Sequence, residues 1–245
     1  MKTLLSLVVV FFVVFGVYGQ DQESKGSDRK TVLKFQAVNY ALQSYSFEIE
    51  RMINGKNAIT LGVGIPNSGS LIGKYGITAS ADNLSALELS TMHIRAAYRH
   101  YAGHSRLPRG FYVEPYLKYQ QFKADATVNI GDNGTTSSAG IKADFSTMNA
   151  GFQMGFQFMI ARRISFDIYF LGIEGGVMNG NLTGTPSDAS KIADMRQKID
   201  DGIKEAPSFF RDKLTVTNTS SAVNVKASSL PYPWIRSGFN IGIAF

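Results

Sequence analysis

The chain has 245 residues, a formal net charge of +6 and no cysteine. Without cysteine there is no disulfide framework and no lipid-anchoring cysteine. The segment 180–231 holds seven Lys or Arg and six Asp or Glu, no basic run stands out, and the positive excess is scattered. That distribution argues against nucleic acid or another polyanion as partner.

Lys2 precedes an apolar stretch from Leu4 to Val17, broken only by Ser6 and Gly16. Val17-Tyr18-Gly19 then places compact residues before a cut at Gln20. This pattern predicts a secretory signal peptide over 1–19. The run falls short of the roughly 20 residues a spanning helix needs. Residues 20–30 are expected to form a periplasmic tail, and 31–245 a single β-domain. No later stretch is long and apolar enough for a membrane helix, and mean hydropathy is near zero. A membrane protein of that composition must be a barrel, because half of its strand residues face a polar interior.

Alternating segments follow in order. Segment 32–38 puts Leu33, Phe35 and Ala37 on one face and Lys34 and Gln36 on the other. Segment 43–53 sets Tyr45, Phe47 and Ile49 against Ser46, Glu48 and Glu50. After Asn54-Gly55-Lys56-Asn57, a hairpin signal, segment 58–66 sets Ile59, Leu61, Val63 and Ile65 against Thr60, Gly62 and Gly64. Segment 91–102 sets Met92, Ile94 and Tyr98 against His93, Arg95 and Arg99. Segment 110–127 has Phe111, Val113, Pro115, Leu117 and Tyr119 opposite Tyr112, Glu114, Tyr116 and Lys118. Pro115 cannot donate to a ladder, and a bulge is expected there.

Segment 145–160 alternates through Phe152, Met154, Phe156 and Phe158. Segment 163–178 alternates through Ile164, Phe166, Ile168 and Phe170 against Ser165, Asp167 and Tyr169, then blurs from Gly172 to Gly176. Segment 233–245 has Ile235, Phe239, Ile241, Ile243 and Phe245 opposite Arg236, Gly238, Asn240 and Gly242. The expected fold is therefore all-β: an eight-stranded antiparallel up-and-down transmembrane barrel. Short connections at 54–57, 103–108 and 161–163 belong at the periplasmic end. Loops 39–42, 67–90, 128–144 and 180–231 belong outside the cell, three of them long. Within the last, Asp188 to Ala206 reads as a helix with Ile192, Met195, Ile199 and Ile203 on one stripe and Pro207 as its stop. Ser208 to Ser229 suggests a short strand pair.

The pieces Val32-Leu33-Lys34, Phe47-Glu48-Ile49-Glu50-Arg51, Gly110 to Tyr119, Ala161-Arg162-Arg163-Ile164-Ser165 and the last strand resemble the small eight-stranded outer-membrane barrels of the OmpA/OmpX-like superfamily. More narrowly, they are similar to outer-membrane barrels common in Bacteroidetes. The resemblance implies a Gram-negative outer-membrane location and no particular reaction. It also implies that Phe239, Ile241, Ile243 and Phe245 form the signal read by the barrel-assembly machinery.

On this reading the lumen carries Lys34, Glu48, Glu50, Arg95, Arg99, Glu114, Lys118, Asp167 and Arg236. Near-balanced charges in so narrow an interior are expected to pair and plug it; a single-sign ring would argue for a pore. Tyr45, Tyr98, Phe111, Tyr232 and Trp234 are expected at the interfaces, with carbohydrate stacking the other use of the last two. No cofactor or metal is implied: His100 and His104 lie at a strand end and a turn with no acidic ligand beside them. His104-Ser105 invites a lipid-modifying hydrolase reading, yet it falls at the periplasmic end and no G-x-S-x-G elbow exists. The leading expectation is a structural or surface-interaction protein contacting outer-membrane lipid, with loop 180–231 offered to an extracellular partner. A lipid A-modifying enzyme, a narrow pore and a soluble lipocalin-like carrier are the alternatives.

Overall fold

The computed structural model describes residues 29–37, 44–67, 69–70, 84–105, 107–132 and 135–245. The expected signal peptide, most of the N-terminal tail and loop 39–42 lie outside them. So does most of the stretch between 68 and 83.

Eight long strands pair antiparallel and close on themselves: β1 (Thr31–Gln36), β2 (Ser44–Met52), β3 (Asn57–Pro66), β5 (Leu84–Tyr101), β6 (Gly110–Asp132), β7 (Thr135–Ile160), β8 (Ile164–Pro186) and β11 (Trp234–Ala244). The two-residue β4 (Gly69–Ser70) pairs with β5. Closure is made by β11, which pairs with β8 through Ile243↔Ile164 and with β1 through Ile243↔Leu33. A closed ring leaves no strand edge, so every backbone donor in the wall can be met by a neighbouring strand.

The alternation in the sequence becomes two surfaces. Leu33, Phe47, Ile49, Leu61, Ile94, Leu117, Phe152, Ile168 and Ile241 point outward and are exposed. Their neighbours Lys34, Glu48, Glu50, Arg95, Glu114, Gln153 and Asp167 point inward and are buried. Charged residues inside and large apolar residues outside is the reverse of a water-soluble globule.

At one end the connections are short. Asn54 Oδ1 accepts from the backbone N–H groups of Lys56 and Asn57, each at 2.9 Å. This hairpin is therefore held by an Asx turn. Between β7 and β8, Ala161 and Arg162 both take positive φ, 49° and 56°, and Arg163 N donates to Ile160 O at 3.0 Å. This is a tight hairpin turn built without glycine.

At the other end the strands outrun the expected loops. Residues 128–132 and 135–144 are strand, not loop: β6 and β7 stay paired from Gly110↔Gln157 out to Asp132↔Thr135. Likewise β5 begins at Leu84 and β8 runs on to Pro186. Beyond the apolar band both sides of a strand can be polar, so the alternation fades while the ladder continues. Cross-strand pairs such as Lys123–Asp144 at 3.5 Å and Lys142–Asp125 at 3.7 Å replace it.

Above Glu174, β8 leaves β11 and pairs instead with β10 (Val223–Pro231), which pairs with β9 (Leu214–Asn218). A register break in β10 falls at Ser229, whose φ is 53° and whose N–H donates to Asn179 Oδ1 at 2.8 Å. Helix α1 (Ile192–Glu205) follows a 3-10 turn (Ala189–Lys191), and a four-residue α2 (Ser208–Arg211) follows Pro207. Asp188 accepts from Ser190 N at 2.9 Å and caps the turn. The α1 stripe packs on β8, β9 and β10, with Ile192 buried and Met195 over Gly184. The segment thus covers its own apolar face.

Two irregularities correct the sequence reading. No bulge forms at Pro115. The β6–β7 ladder passes through Pro115↔Phe152 unbroken, while the β5–β6 ladder skips from Ala97↔Tyr116 to His100↔Val113 without a register shift. The missing N–H faces β5, and the ladder opens there locally. The bulge lies instead in β8: Met154↔Leu171 is followed by Gly155↔Tyr169, so Phe170 is the extra residue. Phe170 and Leu171 both point outward, and the inward parity changes from Asp167 and Tyr169 to Gly172 and Glu174.

Candidate functional site

The barrel interior is the only place where chemistry is concentrated among the described residues. Every strand of the wall contributes to it. In its lower half, near the short turns, three cations meet four carboxylates. Lys34 Nζ lies 2.6 Å from Glu50 Oε2, 2.7 Å from Asp167 Oδ2 and 3.5 Å from Glu48 Oε1. Arg95 bridges Glu48 and Glu114. Arg99 donates from Nε to Glu114 and from Nη1 to Asp167 Oδ2 at 2.9 Å. It also lies 3.7 Å from the Tyr112 ring centroid, a cation–π distance.

Neutral side chains add hydrogen bonds, although Glu48 Oε1, Arg99 Nη2 and Gln157 Nε2 are left without a hydrogen-bond partner among the described residues. Gln157 Oε1 accepts from Lys34 Nζ at 2.8 Å and Arg99 Nη1 at 2.6 Å. Tyr101 donates to Glu50 Oε1 at 2.5 Å, Tyr112 to Asp167 Oδ1 at 2.7 Å, and Gln153 to Glu114 Oε1 at 2.9 Å. None of the seven charged residues is more than 2% exposed. These side chains fill this section of the barrel and leave almost none of their own surface accessible. Charges buried so fully persist only when paired and hydrogen-bonded.

The upper half has a different balance. Lys118 Nζ lies 2.5 Å from Glu174 Oε1, and Tyr116 donates to Glu174 Oε2 at 2.9 Å. Arg236 is half-buried and meets rings: its guanidinium carbon is 4.8 Å from the Tyr169 centroid and 5.6 Å from that of Tyr116. Two tyrosines of β6 lie along the wall over β7 to reach carboxylates on β8, because their cross-strand partners on β7 are glycines. Tyr112 pairs with Gly155 and Tyr116 with Gly151, and in each case a Cβ on the glycine would collide with the phenol.

All nine charges read from the alternation line the inner face. Lys34, Glu48, Glu50, Arg95, Arg99, Glu114 and Asp167 form one network, Lys118 belongs to a separate pair, and Arg236 joins neither. Glu174 is the inward charge that the reading lacked, because it lies beyond the bulge where parity flips. With it the interior carries five cations and five anions among the described residues.

Tyr45, Tyr98 and Phe111 are exposed on the outer wall near its two ends. Trp234 is 54% exposed, but with Tyr232 it also lines a cavity of about 470 Å³ at the upper mouth. Phe239, Ile241, Ile243 and Phe245 all face outward. Ser105 Oγ accepts from Leu107 N and Arg109 Nε, both at 3.2 Å, and so holds the Gly103–Pro108 turn. His100 Nδ1 lies 2.7 Å from Asn57 Oδ1.

Wall and interior together define a closed eight-stranded β-barrel, apolar outside and ionised within. The chain is similar to the crystal structure of CarO2 from Acinetobacter baumannii, with a TM-score of 0.45 and 12% identity, covering 88% of this chain and 97% of that one. No protein-family model and no curated protein matches it.

Proposed function

We propose that the protein is an outer-membrane barrel of the OmpA/OmpX-like kind that presents a rigid surface structure and conducts nothing. The supporting observation is the pairing of an apolar exposed wall with an interior closed by seven buried, ionised side chains. The wall suits lipid, and in lipid only helices and closed barrels satisfy their backbone. On this reading the short turns and Phe245 face the periplasm. The last strand engages the assembly machinery through Phe239, Ile241, Ile243 and Phe245. The extended β6–β7–β8–β10–β9 sheet and α1 stand outside the cell, where segment 180–231 meets an extracellular partner.

The plug is tested in planar bilayers with the refolded full chain. No stable unitary conductance is expected. Reproducible steps of large conductance, showing an open water path, would overturn the reading. Placement is tested on the membrane fraction, where unheated protein should migrate faster on a gel than heated protein. A single migration position at all temperatures would contradict a membrane barrel.

A further inference from the structure

The upper mouth cavity has a charge that the barrel does not neutralise. Among the described residues its lining includes Lys118, Arg236 and His93 and no carboxylate. Glu174 compensates Lys118, with both its oxygens engaged by Lys118 and Tyr116. Arg236 has no carboxylate within ion-pair reach among the described residues; its neighbours are the Tyr169 and Tyr116 rings and Arg95. The lower plug carries one anion too many and the mouth one cation too many. Among the described residues the lumen is thus neutral in sum but polarised along its axis, and its positive end faces the cavity.

The same cavity has a ring-binding wall. Tyr232 and Trp234 stack nearly parallel, with centroids 6.0 Å apart and planes 6° from each other. Flat aromatic faces pack against the C–H faces of rings, while Ser44, Thr91, Gln120 and Ser237 on the remaining walls supply hydroxyl and amide partners. The volume, about 470 Å³, falls within the range of small-molecule sites.

We infer that this cavity binds a small acidic sugar, its carboxylate or phosphate held by Arg236 and its ring laid against Tyr232 and Trp234. This goes beyond the surface-presentation role: recognition would take place in the barrel mouth and not on segment 180–231. It needs only that the mouth be reachable, so it stands or falls separately from the conductance result.

Trp234 is the single tryptophan of the chain and reports directly on the site. The folded full chain, in an uncharged detergent without a sugar headgroup, is titrated with glucuronate and with glucose 6-phosphate while Trp234 emission is followed. Glucose and inorganic phosphate serve as controls. A saturable change is expected for both acidic sugars, at concentrations at least about tenfold below those needed with either control, since one added charge contact is worth about a factor of ten. Arg236→Gln should weaken binding of the acidic sugars by about tenfold and leave glucose unchanged. Tyr232→Ala should weaken both by several-fold. Equal responses to glucose and the acidic sugars, or no saturable response at about 10 mM of either acid, would overturn the proposal. These two wild-type outcomes decide it even if a variant does not fold.

Discussion

Arg99 is the residue on which the plug converges, and replacing it with methionine tests whether the plug is dry. The substitution keeps an unbranched side chain but removes contacts to Glu114, Asp167, Gln157 and the Tyr112 ring face. Glu50 and Glu48, at 3.6 Å and 3.7 Å from the guanidinium, lose a counter-charge as well. The lower cluster goes from one excess anion to two, in a section with almost no accessible surface. Removing one partner of a buried ion network costs about 3–5 kcal/mol, and the lost cation–π contact lies within that figure. The assay is equilibrium unfolding in detergent, followed by Trp234 emission and by gel migration. Adding Glu114→Gln to Arg99→Met restores the original excess of one anion and should return about 1–3 kcal/mol. A loss below about 1 kcal/mol for Arg99→Met would match a solvated surface pair. That result would refute the dry plug.

Four further outcomes follow from the wall and its ends. Pro115→Val supplies an N–H toward the open stretch of β5 and should stabilise the barrel by about 0.5–1.5 kcal/mol in the same unfolding assay; destabilisation would mean that the ladder opens for another reason. Deleting Phe170 joins Tyr169 to Leu171, which makes the ladder to β7 regular and keeps Gly172 and Glu174 inward with Lys118 paired. The deletant should keep its heat-modifiable form, and loss of that form would show that Phe170 is not a removable extra residue. Ala161→Asn with Arg162→Gly suits the positive φ of both positions and should raise stability by about 1 kcal/mol, with an unchanged unfolding midpoint counting against it. At Asp188 hydrogen bonds from the Ser190 hydroxyl and from the Ser190 N–H hold the carboxyl below its usual range. Its capping contribution is therefore present above that range and fades as pH falls through it. The protection factor of the Ser190 amide, its exchange rate taken relative to the intrinsic rate at each pH, should fall as the pH drops below about 4. It should not do so in Asp188→Asn.

Much of the wall was legible because a half-buried strand has a period of two and nothing else shares it. Leu33, Phe47, Ile94 and Ile241 carry that signal in four different strands. Legibility stopped where one face no longer had to be apolar. The paired residues 128–132 and 135–144 read as a loop because Lys123, Asp125, Lys142 and Asp144 break the alternation that the ladder itself does not require. It also stopped where backbone geometry changes parity. The Gly172 to Gly176 stretch concealed a bulge at Phe170, and with it the inward position of Glu174. Pro115 shows the converse: its missing donor was legible, but whether the chain would bulge or open depended on which neighbour it faces.

The sequence by itself determined which residues face in and which face out within the regular strands, Glu174 beyond the bulge excepted, and that the strands are eight. These are consequences of local alternation and spacing. Only the tertiary structure decided which charges meet. Lys34 and Asp167 are 133 residues apart and touch because β11 closes the ring between β1 and β8. Closure also separates the lower plug from the Lys118–Glu174 pair and leaves Arg236 at the mouth with aromatic neighbours instead of a carboxylate. An alternating pattern fixes the face of a residue but carries no information about its height in the barrel or its partner across the lumen. Those depend on register, stagger and a single extra residue, which the ring settles as a whole.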